Sequence, residues 1–188
     1  MGYAENCLPK AFAELGHEVH LITSERQVYS TSKSYEHIYQ SFLGEPKVES
    51  GKYNLHGFVL HRQKSKRSRG CIRLTGLLEL LKKIDPDVVQ TFDLIAHSSL
   101  VSASYCWKNQ VPFFSSNHAT ESSFPLARNS FLNKFKRIKW FYRKWIPGRI
   151  VSLISRLSYP PTVDCEKIAI KFMGLQAKKS KICPLGVD

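Results

Sequence analysis

The stretch NCLPKAFAELGHEVHLITS, from Asn6 to Ser24, passes from a helical pattern to a strand pattern across a single glycine. Asn6 suits a helix N-cap, and Pro9 falls in the first turn, where its missing N–H costs little. Leu8, Ala11, Phe12 and Leu15 recur at i, i+3, i+4 and i+7, the spacing of one buried helix face. Gly16 ends the helix, and Val19 to Thr23 is a strand rich in β-branched residues. The same unit recurs downstream. Leu74, Leu77, Leu78, Leu81 and Ile84 predict an amphipathic helix, Asp85-Pro86 breaks it, and Asp87 to Thr91 follows as a strand. Ser98 to Lys108 predicts a helix with Leu100, Val101 and Ala103 facing in, and Val111 to Ser116 the next strand. A long helical region spans about residues 130–157. Val163 to Met173 predicts a short strand and helix closed by Gly174, and Ile182-Cys183 a short buried closing strand. Strands alternating with helices imply an α/β domain, a doubly wound, Rossmann-like parallel sheet with helices on both faces. The first helix reads as the second half of a β-α-β unit whose first strand is missing, since only Met1 to Glu5 precede it. Residues 25–56 lack a pattern and suit a long loop, and His56 to Gln63 suits a strand.

The 188 residues fit one domain, with 43% apolar and 23% charged residues, as in soluble globular proteins. No run of eighteen apolar residues predicts a transmembrane helix, and no signal peptide is visible. Met1-Gly2 would suit myristoylation, but Asn6 stands where Ser or Thr is required. Cys7, Cys71, Cys106, Cys165 and Cys183 are odd in number and form no Cys-x-x-Cys pair, which argues for reduced cytosolic thiols and against zinc or a disulfide framework. There is no Gly-x-Gly-x-x-Gly and no Walker motif. No metal site or Ser/His/Asp constellation can be assembled. His56 and His61 fall on opposite faces of a strand, and His17 and His20 flank a strand start at the surface.

The net charge of +13 points to an anionic partner. Residues 62–73 carry six basic residues and no acidic one, and residues 128–149 carry eight and none. On a helical wheel Phe131, Leu132, Phe135, Ile138, Tyr142, Trp145 and Ile146 share one face of the second segment. Lys136, Arg137, Lys139, Arg143 and Lys144 share the other, with Trp140 among them. Such a helix suits an anionic bilayer surface, with Phe135, Lys136, Arg137, Lys139, Trp140, Arg143 and Lys144 as its contact residues. The bland alternative is an apolar face packed on the sheet beneath a solvated basic one. Nucleic acid is a less favoured partner, because the aromatics that would stack on bases lie mostly on the apolar face.

Three stretches taken together resemble the N-terminal half of a family-four GT-B glycosyltransferase. GYAENCLPKAFAELGHEVHLITS resembles that family's first loop, helix and second strand. PDVVQTFD with VPFFSSNHATE resembles its Pro-Asp-Val-Val strand and the later strand ending in His. DCEKIAIKFMGLQAKKSKICPLGVD resembles the last helix and strand, with the Gly-Val-Asp that opens a second domain. The resemblance covers nearly the whole chain and implies an acceptor-side domain, residues 1–188, truncated at both ends and stopping at the interdomain hinge. It implies a retaining enzyme that acts on a lipid-linked or glycan acceptor at the membrane surface. The nucleotide-sugar donor would be held by a C-terminal domain with a Glu-x7-Glu motif that this chain lacks. The chain alone would need no cofactor and be inactive, and it would be cytoplasmic, peripheral at the inner face of the cytoplasmic membrane. A non-enzymatic basic module for nucleic acid or anionic membrane is the alternative.

Ligands of open α/β sheets bind beyond the carboxyl ends of the strands. His118 follows a strand directly, and the resemblance implies that it contacts the transferred sugar or the acceptor. Gly2, Tyr3 and Glu5, at the first helix N-terminus, suit a phosphate or sugar oxyanion. Asn117 and Glu121 can hydrogen-bond sugar hydroxyls, or serve as turn and cap residues. Asp93 can orient an acceptor hydroxyl, or cap a helix. Ser24 to Arg26 belong to the rim.

Overall fold

Gly16 has a φ of +89°, a left-handed conformation that a Cβ would disfavour. It lets the His17 N–H reach back to the Phe12 carbonyl (3.1 Å), so helix α1 (Ala4–Glu14) ends and strand β1 (His20–Ser24) begins. The computed structural model describes residues 4–68, 71–122, 124 and 134–184, in two compact units, Met1–Gly76 and Leu77–Asp188. Helix α1 starts at Ala4, ahead of the cap expected at Asn6, so Pro9 is internal and the Glu5 carbonyl finds no N–H there. The face expected to be buried is largely open, with Ala11 and Phe12 exposed and Leu15 74% exposed. Ala13, one position round the helix, is the residue that approaches Gly57.

In the first unit β1 runs parallel to β3 (Phe58–Gln63), with His20 opposite Val59 and Ser24 opposite Gln63. Strand β2 (Gly51–Leu55) lies antiparallel on the far side of β3, giving the order β1-β3-β2. His56 and Gly57 both take positive φ (46° and 86°), the two-residue turn whose twist matches a β-hairpin. His56 therefore sits in a turn, outside the strand predicted to carry it. A second hairpin pairs β4 (Ser65–Ser68) with β5 (Cys71–Leu74). The stretch expected to be a long loop holds a π-helical turn (Tyr35–Tyr39), helix α2 (Gln40–Leu43) and β2. Tyr35 anchors it, buried and with its hydroxyl donating to the Gly44 carbonyl at 3.1 Å. One buried aromatic leaves too little periodicity for the pattern to register.

The second unit is the repeated helix–strand alternation. Helix α3 (Leu77–Ile84) buries Leu77 and Leu81. Strand β6 (Val89–Thr91), helix α4 (His97–Asn109) and strand β7 (Phe113–Ser115) follow, with β6 and β7 parallel and Val89 opposite Phe113. Parallel bridges from Ser115 to Ser158 and from Ser158 to Ser180 extend the pairing by two segments. The architecture is α/β and Rossmann-like. A helical rod then runs from 134 to 154 as α5 (Lys134–Trp140), a π-helical turn (Phe141–Trp145) and α6 (Ile146–Ile154). Helix α7 (Val163–Met173) begins at Val163 itself, where a strand was expected, because Thr162 caps it by accepting the Cys165 N–H (3.2 Å). The closing segment pairs at Ser180; Ile182 and Cys183 are exposed, although their pattern suggested burial.

Helix α4 buries Ser99, Ser102, Ala103, Tyr105 and Cys106, while Leu100 and Val101 are only half-buried. Apart from Tyr105 the buried residues are small, and the helix packs on α6, which carries Gly148 and buried Ser152. A Cβ on Gly148 would stand 2.0 Å from the Met173 carbonyl oxygen, so the end of α7 closes directly on α6.

Candidate functional site at the carboxyl ends of β6 and β7

Strand β7 ends at Ser115, and the chain continues as Ser116, Asn117 and His118. Ser116 N–H donates to the Thr91 carbonyl (2.8 Å), which ties the exits of β6 and β7 together. His118 is half-buried and meets Phe92, the residue after β6, edge to face at 6.2 Å. The imidazole therefore lies at the strand ends, where the alternation places the ligand crevice.

Its neighbours do different work. Asn117 is 2% exposed, and its amide N–H donates to the Cys165 carbonyl at 2.9 Å, while its Oδ1 accepts the Ala119 N–H at 3.3 Å. Thus it ties the loop to α7, its turn role, and its amide is spent inside the protein. Asp93 takes a similar part: Oδ1 accepts the Ile95 N–H at 2.8 Å, and its carbonyl accepts the Ser99 hydroxyl. The Asx turn so formed leads into α4. Glu121 has an exposed side chain, and its N–H donates to Asp164 Oδ2 at 2.8 Å. Gly2 and Tyr3 lie outside the described residues. Glu5 lies in the first turn of α1, its side chain outside them too.

On the helical rod the side chains of Phe135 and Lys136 are likewise outside the described residues. Arg137, Lys139 and Arg143 are exposed and Lys144 is half-buried. Beside them Ile138 (53%), Phe141 (44%) and Tyr142 (65%) are exposed. Trp140, assigned from sequence to the membrane contact, instead turns inward. Its Nε1–H donates to the Phe172 carbonyl at 2.8 Å, and its ring meets buried Phe124 edge to face at 4.8 Å. The indole has a polar partner inside the protein, which is the stronger claim on a Trp N–H.

Two clusters in the first unit escaped the sequence. Glu25, just past β1, is 8% exposed; its Oε1 accepts the Ser65 hydroxyl at 3.3 Å, and Arg26 Nε donates to Ser65 Oγ at 3.2 Å. His20 is partly buried rather than a surface residue. Its Nδ1 lies 2.8 Å from Nε2 of buried His61, the rings nearly parallel, and its Nε2 lies 2.9 Å from Glu18 Oε1. The carboxylate can only accept, so His20 Nε2 is the donor to Glu18. Sequence separations near forty residues hid both clusters.

Comparison with known proteins adds a family. The sequence model described as Glycosyltransferase Family 4 matches residues 8–188. No curated protein matches. Among solved structures, the chain is similar to UDP-N-acetylglucosamine 2-epimerase from Rickettsia bellii at 14% identity and a TM-score of 0.43. That match covers 95% of this chain and 41% of the epimerase chain.

Proposed function

The chain belongs to glycosyltransferase family 4, and from that premise we propose that it forms the acceptor-binding side of a retaining glycosyl transfer at a membrane surface. The observation that carries this reading is His118, half-buried at the joined ends of β6 and β7 and braced by Phe92. Asn117 and Asp93 are committed to the local fold, so His118 and Glu121 are the polar side chains offered to a ligand. An imidazole there can accept from an acceptor hydroxyl and align it. The activated sugar is a nucleotide-sugar, held by a second α/β domain, and this chain alone does not turn over.

The rod supplies the surface. Exposed Ile138, Phe141 and Tyr142 beside Arg137, Lys139 and Arg143 combine apolar area with cations, the pairing an interfacial helix uses on anionic lipid. No helix among the described residues is long and apolar enough to cross a membrane. The acceptor is lipid-linked or a glycan presented at the inner face of the cytoplasmic membrane. Vesicle flotation and saturation-transfer NMR test the two parts separately. We expect Ile138→Asp with Tyr142→Asp to abolish flotation with phosphatidylglycerol vesicles. His118→Ala should leave flotation intact and weaken binding across a panel of lipid-linked and soluble oligosaccharides. Unchanged oligosaccharide binding in the His118 variant would remove the acceptor assignment.

A further inference from the structure

From residue 51 to residue 78 the chain has seven Lys or Arg and no Asp or Glu. Five of the seven fall between residues 64 and 74, and the four that lie among the described residues, Lys64, Lys66, Arg67 and Arg73, are all exposed. The register sets Lys66 directly opposite Arg73. Side chains directly opposite in an antiparallel pair share a face, and like charges there repel. Lys64 is two residues before Lys66, so it joins the same face by the period of two. Lys64, Lys66 and Arg73 thus form one cationic face, and among the described residues none of them pairs with a carboxylate. Arg67 falls on the opposite face, across from half-buried Ile72. The arrangement accumulates charge on a ribbon and leaves it uncompensated.

We infer that this face docks the phosphate head groups of an anionic lipid surface. The side chains decide between polyanions. From Lys64 to Thr75 there is no aromatic residue to stack on a base and no Asn or Gln to read a base edge. What the ribbon offers is a short, regular row of cations, suited to many phosphates presented in a plane. It lies in the first unit, whereas the rod proposed to meet the membrane lies in the second. The inference needs no glycosyl transfer, and adds a second, purely electrostatic contact to the interfacial one.

Partitioning onto vesicles tests it, using the whole chain and vesicles of phosphatidylglycerol in phosphatidylcholine at about 1:2. The triple variant Lys64→Gln, Lys66→Gln, Arg73→Gln should partition at least about tenfold more weakly. The swap Lys64→Arg with Lys66→Arg should bind like the parent, and Arg67→Gln should lose far less than the triple. Circular dichroism and melting of each variant separate binding from folding, and the arginine swap carries the test if the triple variant melts early. A triple variant that binds as tightly as the parent, while Ile138→Asp with Tyr142→Asp binds weakly, overturns the ribbon and leaves the rod standing. The reverse result overturns the rod alone. Equal binding to pure phosphatidylcholine overturns the charge argument. A single-stranded RNA that binds more tightly than the vesicles, and loses as much in the triple variant, reassigns the face to nucleic acid.

Discussion

Single atoms decide the packing of the second unit. The Cβ that Gly148 lacks would overlap the Met173 carbonyl oxygen and stand 2.9 Å from Ile95 Cγ2. The neighbour is backbone, which cannot rotate away, so Gly148→Ala should cost about 2–3 kcal/mol in urea unfolding. Nothing in the sequence marks this glycine, which lies inside a helix, whereas Gly16 and Gly174 are legible because each follows a helical run. Cys106 shows another cost of burial. It is 1% exposed, and burial pushes its thiol up to about 11 from an ordinary value near 9. Burial, then Asp85, moves neighbouring Tyr105 in the same direction. A raised folded value means that the native state holds its proton while the unfolded chain has released it. The contribution is therefore complete below about pH 9 and is lost as the pH rises toward about 11. Urea midpoints measured across that window should fall, and Cys106→Ala should make the fall shallower. The sequence did not place Cys106 on the inward face, and its neighbour Trp107 is 74% exposed, so the burial that sets this effect is legible only in the fold.

At the scale of elements, helix ends carry much of the order. Helix α6 ends where Ser155 turns extended, and Lys179 reaches its last carbonyls, with Nζ 2.6 Å from Leu153 O and 2.7 Å from Ser155 O. One ammonium satisfies two orphan acceptors at the negative end of the helix dipole. Lys179→Ala should lower stability by about 1–2 kcal/mol and raise amide exchange over the C-terminal turn of α6, read by hydrogen exchange. The bond joins residues some twenty-five positions apart, so no local pattern reveals it. Local patterns did reveal the helix–strand alternation, because Gly16, Asp85-Pro86 and Gly174 each punctuate a helix end, although α4 ends on Gln110 at a φ of 59° with neither signal. They missed the β2–β3 hairpin, since His56 in a positive-φ position is rare and reads as a strand residue. They found the rod but not its π-helical turn, and on the wheel they set Trp140 among the solvent-facing cations, whereas its indole bonds the Phe172 carbonyl. Direction on a helix face is periodic; which partner a mixed side chain prefers is not.

For the whole molecule, the decisive question is what the edge that carries His118 contributes to glycosyl transfer. Family 4 membership covers residues 8–188, and glycosyl transfer needs both an acceptor and an activated donor brought to near-attack distance. Among the side chains at the ends of β6 and β7, those of Asn117 and Asp93 are engaged locally. On the proposed reading His118 and Glu121 hold the acceptor hydroxyl, and none of the described side chains at that edge is a Lys or Arg placed to clamp a phosphate. The described loops there expose Glu121 and Asp93, whose negative charge opposes a diphosphate. If the donor is held by a second domain, as proposed, the chain of residues 1–188, given a nucleotide-sugar and an acceptor, should release no nucleotide above the background rate. Joined to a donor-binding family 4 domain, it should transfer sugar to a lipid-linked acceptor. In that joined enzyme His118→Ala should lower kcat by about a hundredfold, and Glu121→Gln should chiefly raise KM for the acceptor. A His118 variant that kept full kcat would show that the imidazole at the strand ends takes no part in the transfer, even if the acceptor binds beside it.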